Sequence, residues 1–451
     1  MALVRTASPR TPVAEVAPAP LRALGREEVR WSHPAAGIRA AAFGEAERRE
    51  GTSLRAVLAS LASPGDLPEG MPGPWFGAAA FDGTLGPDWS GFAPLRFTLP
   101  ALLAWKRGGR QFLAAFGDGA ASRLDDARRR LDRDGHGTKA SNARHQLDRD
   151  GDGTKASGLG PRASGDFDGG ARVRVDLDDG VAVLARRLHV SGDRQHWDAL
   201  VARALAAISS GVLDKVVLAR SFDVECSAAI DPGAVLAALE ARYPACRSFL
   251  LRGSDGSAFL GATPEVLCRV EGDSLSTEAM AGSAAPGSAA ALLGSRKDLR
   301  EHRWVVDHIL RSLSGIAGAV QRKPEPGLRT LANIVHLHTP ISARLAPGRG
   351  VADLAAALHP TPAVAGVPAE AALRFIAQHE ELDRGLYAGL IGWVGADRAE
   401  LAVALRCALV RGTRARLFTG AGIVDGSSAD QEWEETELKA HALLGALGCA
   451  P

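Results

Sequence analysis

Near the C-terminus the chain reads Gln431-Glu432-Trp433-Glu434-Glu435-Thr436-Glu437-Leu438-Lys439. At 3.6 residues per turn, Glu432, Glu435 and Lys439 fall on one helical face, while Glu434 and Glu437 point elsewhere. Two carboxylates one turn apart can ligate a hard cation such as Mg²⁺, which takes oxygen ligands. A lysine one turn further on can pair with an anionic substrate. Taken alone, such a stretch is an acidic helix face in solvent. The segment before it, Phe418-Thr419-Gly420-Ala421-Gly422-Ile423-Val424, reads as a strand whose glycines let a ligand come close to the backbone.

The elements that must position these groups belong to a chain of 451 residues, long enough for two or three average domains or one large unit. The apolar share of 46% supports a substantial core, and a formal net charge of +1 gives no bulk electrostatic case for nucleic acid or a membrane surface. Five cysteines, Cys226, Cys246, Cys268, Cys407 and Cys449, are odd in number and lack paired close spacing. They argue against a disulfide framework or a zinc site, and for a reducing cytoplasm. No apolar leader and no run of about 20 apolar residues is present, so neither standard export nor a membrane span is expected.

Residues 1–20 are rich in Ala, Pro and Val and read as a disordered tail. Residues 21–117 form an N-terminal part of mixed pattern: a helix is expected over 45–61, and strands over 75–83, 97–104 and 111–116. Residues 118–168 contain an internal repeat, with Leu131-Asp-Arg-Asp-Gly-His-Gly-Thr-Lys-Ala-Ser returning at Leu147 with Asp in place of His. In the second copy Asp148, Asp150, Asp152 and Gly153 imitate the start of a Ca²⁺-binding loop, but Leu159 stands where the closing glutamate belongs. A flexible Asp/Gly-rich insertion is the expectation there. From 169 to 451 the signals sharpen. An amphipathic helix over 195–210 carries Trp197, Leu200, Val201, Leu205 and Ile208 on one stripe. A strand opens at Lys215, helices follow over 232–242, 295–313 and 369–378, and three consecutive strands lead to the closing helix. Strands and helices are interspersed without a regular βαβ period, which favours α+β with antiparallel sheets.

Eight stretches in this order carry a resemblance. Lys215-Val-Val-Leu-Ala-Arg220, Phe259-Leu-Gly-Ala-Thr-Pro-Glu265, Met280-Ala-Gly-Ser283 and Lys297-Asp-Leu-Arg-Glu301-His302 are the first four. His359-Pro-Thr-Pro-Ala363, Leu405-Arg406-Cys407-Ala408, Phe418-Thr-Gly-Ala-Gly-Ile423 and Glu432-Trp-Glu-Glu435-Thr-Glu-Leu-Lys439 complete the set. Together they resemble the chorismate-utilising enzymes: isochorismate, salicylate, anthranilate and aminodeoxychorismate synthases. The resemblance runs from about Val173 to the C-terminus, with Trp75-Phe76-Gly77 and Phe81-Asp82 extending it weakly. It implies one large α+β domain of two packed, mainly antiparallel sheets with helices outside, a cleft, and a Mg²⁺ requirement. Carried over residue by residue, it implies Glu301 and Glu435 as metal carboxylates, with Glu432 and Asp298 as further ligands or water-linked neighbours. Arg406 and Lys439 would hold substrate carboxylates, and the backbone around Gly282, Gly420 and Gly422, with Ser283 and Ala363, would line the site. One departure is Ala-Ala-Pro-Gly after Ser283, where the family often has arginine.

Chorismate is a dianion with a hydroxyl at C4, so cations and a metal suit its binding. Isochorismate formation adds water at C2 and expels the C4 hydroxyl, which needs a base and an acid. Lys215, heading an apolar strand, is the expected base, and Glu265, on an apolar turn, the expected acid. Lys215 implies water rather than ammonia as nucleophile. Ala363, where salicylate synthases tend to carry Thr, fits a reaction that stops at isochorismate. The alternatives are a salicylate synthase, which goes on to expel pyruvate, and a non-catalytic chorismate- or Ca²⁺-binding module. His302, His336, His338 and His359 match no common zinc spacing, although His302 beside Glu301 could support a ligand. The pathway served and the oligomeric state are left open.

Overall fold

The structure is a computed structural model that describes residues 11–17, 21–61, 71–147, 172–176, 182–191, 194–331 and 334–448. The second copy of the Asp-rich repeat after Leu147, and most of the tail over 1–20, lie outside the described residues.

All the strand pairings are antiparallel and form one continuous network. It branches at the long strand Leu95–Arg107. One arm runs through Ile38–Glu50, Val29–His33, Arg247–Arg252, Ala258–Thr263, Cys407–Arg411 and Arg414–Val424 to Lys215–Cys226. The other runs through Trp75–Ala79, Leu390–Val394, Arg398–Val403, Val266–Glu271 and Ser274–Ala284 to Val335–Arg344. The two sheets expected from sequence are therefore two arms of one sheet. One large apolar cluster takes residues from both, including Leu218, Phe249 and Phe259 from the first and Leu267, Leu275 and Leu401 from the second. None of the described helices is long and apolar enough to cross a membrane.

Local sequence explains the elements that matter for the site. Lys215–Cys226 is buried over its first eight residues, and its run over 216–219 is apolar on both faces because both are covered. In Arg296–Leu313 the Ser295 hydroxyl accepts from the Asp298 amide at the N-cap, and His302, Val305, Val306, Ile309 and Leu313 form the buried stripe. Ser428 caps the closing helix Ala429–Ala446 in the same way.

Two expectations are corrected. Residues 45–61 are not one helix: Ile38–Glu50 is a strand and only Leu54–Ala59 is helical. The charged run Glu45–Glu50 alternates across the sheet and pairs with residues from Arg96 to Pro100, so pairing overrides its helical composition. The start of the supposed flexible insertion is helix Ala120–Leu147, which includes the first repeat copy. Leu124, Ala127 and Leu131 recur at helical spacing and are buried against Leu113, Ala115 and Leu24.

Candidate active site

A cavity opens between the two arms. Its lining includes ten residues expected from sequence: Glu265, Gly282, Ser283, Glu301, Ala363, Arg406, Gly420, Gly422, Glu435 and Lys439. Glu301 and Glu435, from two helices far apart in sequence, thus share one wall region. Lys215, Asp298 and Glu432 do not line the cavity but stand directly behind that wall.

Lys215 is fully buried, and its Nζ lies 2.8 Å from Glu301 Oε1. Gly422 is what admits this pair, because a Cβ there would stand 2.7 Å from Glu301 Oε1 and 3.0 Å from Lys215 Cε. Glu435 meets Lys439 at 2.6 Å, and Lys439 also donates to Gly420 O at 2.8 Å. Burial alone would raise the Glu435 pKa, but Lys439, Lys297 and a hydrogen bond from Ser283 together hold it below the ordinary value. Glu432, one turn earlier, is sealed against Lys297 at 2.6 Å, and burial with the neighbouring Glu435 pushes it up. Asp298 is also pushed up, by burial and then by Glu301 and Glu435. Gly282, with φ 75°, leaves room for it: a Cβ there would lie 3.0 Å from Asp298 Cβ.

Glu265 stands apart from this group. The Thr263 hydroxyl donates to Val403 O at 2.6 Å and accepts from the Glu265 amide at 3.2 Å, while Glu265 O accepts from the Val403 amide at 3.1 Å. The turn is therefore fixed, and the carboxyl is held where it is 7% exposed. Burial, helped by the charge of Glu278, raises it to about 7, against the opposing pull of Lys215, Lys439 and Arg406. Arg406 has left-handed backbone, φ 49°, between the strands Arg398–Val403 and Cys407–Arg411. Such a conformation costs roughly 1–2 kcal/mol for a residue with a Cβ. Its guanidinium makes no ion pair among the described residues and faces the cavity.

The donor set suits Mg²⁺. Among the described residues no three His, Cys, Asp or Glu side chains are gathered into a ready-made metal cage. Mg²⁺ is characteristically bound by one or two carboxylates with water and substrate completing the shell, and does not need such a cage. Burial first, and then the neighbouring carboxylates, raise Asp298 and Glu432, and a divalent cation would relieve the second of these.

Some cavity residues escaped the sequence reading. Tyr387 stacks on Phe418 with ring centroids 5.5 Å apart, and both line the cavity. His336, weighed only as a metal ligand, lines it too, with Nδ1 3.0 Å from Ser283 Oγ. Its position opposite Ser283 in the sheet register is the signal that would have placed it. Lys297, the partner of Glu432, sits within one of the quoted motifs but was given no role. His302 turns away from the site onto Thr339 Oγ1, 2.8 Å distant, and burial lowers it to about 4.

This arrangement is that of an enzyme family, and residues 182–448 match the family described as chorismate binding enzyme. The chain belongs to that family. It is 40% identical over 264 residues to the salicylate biosynthesis isochorismate synthase of Pseudomonas aeruginosa, covering 56% of this chain and 55% of that protein. It is 37% identical over 261 residues to isochorismate synthase EntC of Escherichia coli, covering 56% of this chain and 67% of that one. The matched segment thus spans about half the length of the first of these relatives. Among solved structures, MenF, the menaquinone-specific isochorismate synthase from Escherichia coli, superposes with a TM-score of 0.70 at 27% identity, over 98% of this chain and 95% of that one.

Proposed function

We propose that the protein is a Mg²⁺-dependent isochorismate synthase. The observation that carries this reading is the asymmetry of the cavity: one buried carboxyl with a pKa raised to about 7 on one wall, and lysine-paired carboxylates on the other. The relatives of known name support it. Bound Mg²⁺ would neutralise the carboxylates that otherwise repel a dianionic substrate and would draw on Glu301 and Glu435, with Asp298 and Glu432 behind them. Arg406, which has a free fork, and Lys439 receive the substrate carboxylates. The backbone of Gly282, Gly420 and Gly422, with Ser283 and Ala363, shapes the cavity around the substrate.

Lys215 Nζ takes a proton from the water whose oxygen bonds to C2. As the ring double bonds shift, the C4–O bond breaks, and Glu265 gives its proton to the departing hydroxyl, which leaves as water. One proton enters Lys215 and one leaves Glu265, so their reversal resets the site. In the resting structure Lys215 Nζ donates to Glu301 Oε1, so that contact must open before the nitrogen can take a proton from water.

The test is incubation of the protein with chorismate and Mg²⁺, with products separated by chromatography. Isochorismate is the expected product. Salicylate with pyruvate would replace this reading with the salicylate synthase alternative, and no consumption of chorismate would end it.

A further inference from the structure

Glu278 lies on the strand Ser274–Ala284, two residues before Met280, which lines the cavity. Its carboxylate reaches across to the turn that carries Glu265: Oε1 accepts from the Val266 amide at 3.2 Å. Arg329 Nη1, from the strand Gly327–Thr330 on the far side of Val335–Arg344, bonds both oxygens, at 2.8 and 2.7 Å, and His338 Nε2 of the intervening strand stands 2.8 Å from Oε2. Pro264 and Glu265 face the active cavity, while Val266, Glu278 and Arg329 face a second, more open cavity on the other side of the turn. The turn is thus a partition, and Glu278 is fastened to its back.

We infer that Glu278 is a positioning residue for Glu265, fixing the turn from behind and keeping a negative charge beside the acid on the side away from substrate. The inference rests on the proposed function for its catalytic meaning, but its geometry does not. Burial would raise the Glu278 pKa, yet His338, Arg329 and the Val266 amide overcome this and hold it below the ordinary value, so it stays ionised. The charges that act most on Glu265 are then Glu278 on one strand, Lys215 on another, Lys439 on the closing helix and Arg406 on the loop between strands, with Glu301 and Glu435 also at the cavity. Of the first four only Glu278 favours the protonated acid, and the three cations oppose it. Without Glu278 burial alone would oppose the three cations, and Glu265 would hold its proton less firmly.

Two measurements on Glu278→Gln test this. The first is infrared titration of the protonated carboxyl band, read without substrate and assigned by its loss in Glu265→Gln. In the parent protein its midpoint should lie near 7. In Glu278→Gln it should move down by about one unit or more. The second is the pH profile of kcat/KM for chorismate, whose alkaline limb should move in the same direction while the product stays the same. Glu278→Asp keeps the charge but withdraws it from the Val266 amide. It should retain most of the midpoint and lose about fivefold or more in kcat/KM, which also covers the case that Glu278→Gln does not fold. An unchanged infrared midpoint in Glu278→Gln, or full kcat/KM in Glu278→Asp, overturns the inference. Failure to turn over chorismate in the parent protein would instead strike the proposed function and leave the infrared result standing.

Discussion

Glu265 and Glu435 are the same kind of side chain at one cavity, Glu265 buried and Glu435 half-buried, and they are driven in opposite directions. Glu435 has a lysine 2.6 Å away and is held below its ordinary pKa, whereas Glu265 has no ion-pair partner among the described residues and is raised to about 7. Burial raises both, so burial is not what separates them. The separation comes from what each backbone brings alongside: a helix that sets Glu435 and Lys439 one turn apart, and a strand turn on which another carboxylate exerts the largest charge effect. One fold thus holds an anion ready for a cation and an acid ready to give a proton.

The largest expected effects come from removing either end of the proton path. Glu265→Gln and Lys215→Ala should each lower kcat by about 10²–10⁴ or more, read as isochorismate formed from chorismate with Mg²⁺ present. Circular dichroism should show the Glu265→Gln fold intact. Near-native kcat in either variant would remove the assigned pair. Lys215→Ala also leaves Glu301 beside an apolar hole, and breaking a buried pair costs roughly 3–5 kcal/mol. Its fold therefore needs checking against Lys215→Met, which fills the space.

How far these contrasts could be read from sequence differs between the two walls. The face shared by Glu432, Glu435 and Lys439 follows from helix geometry alone, and all three lie on the helix Ala429–Ala446. The strand opening at Lys215 and the helix over Arg296–Leu313 were equally plain, since their apolar residues keep period. Contacts closed by distant segments were not legible. No local pattern says that Gly422 makes room for Lys215 and Glu301, that Lys297 answers Glu432, or that Glu278 comes to rest behind Val266. The strand Ile38–Glu50 was missed for the same reason, because its charged half is held by its partner rather than by its own propensity. The family resemblance reached the site residues that composition could not, and it did not reach His336 or Tyr387, which the quoted motifs leave out.

The next largest effects should fall on the cation side. Glu435→Gln should weaken Mg²⁺ binding by about tenfold or more, measured by calorimetric titration, with the product unchanged at saturating metal. An unaltered titration would deny Glu435 a ligand role. Arg406→Ala should raise KM for chorismate by roughly 10–100-fold, the loss of one or more charged hydrogen bonds, and an unchanged KM would send the substrate carboxylates elsewhere.

Stability sharpens the contrast from another direction. A carboxyl whose folded pKa lies above its unfolded value stabilises fully below the unfolded value and loses that contribution as pH rises through the folded one. For Glu265 the window runs from about 4.5 to about 7. Glu265→Gln should therefore melt at the parent temperature near pH 4.5 and above it at pH 8, by the equivalent of a few kcal/mol at most. Equal melting at both pH values would mean that the acid is not held protonated by the fold.

The smallest effect belongs to a third glutamate, on the same helix as Glu435. Glu437 pairs with Arg220, whose guanidinium also lies 3.6 Å over the Trp433 ring and donates to the Thr436 hydroxyl at 2.8 Å. Arg220 is thus held by more than its charge partner, and Glu437 is about one-quarter exposed, where ion pairs contribute little. Glu437→Gln should change stability by under about 1 kcal/mol and leave the Mg²⁺ titration where it was. A metal affinity that moved as much in Glu437→Gln as in Glu435→Gln would mean that the helix responds to its total charge. The two glutamates would then differ only in position, and the face they do not share would no longer explain the site.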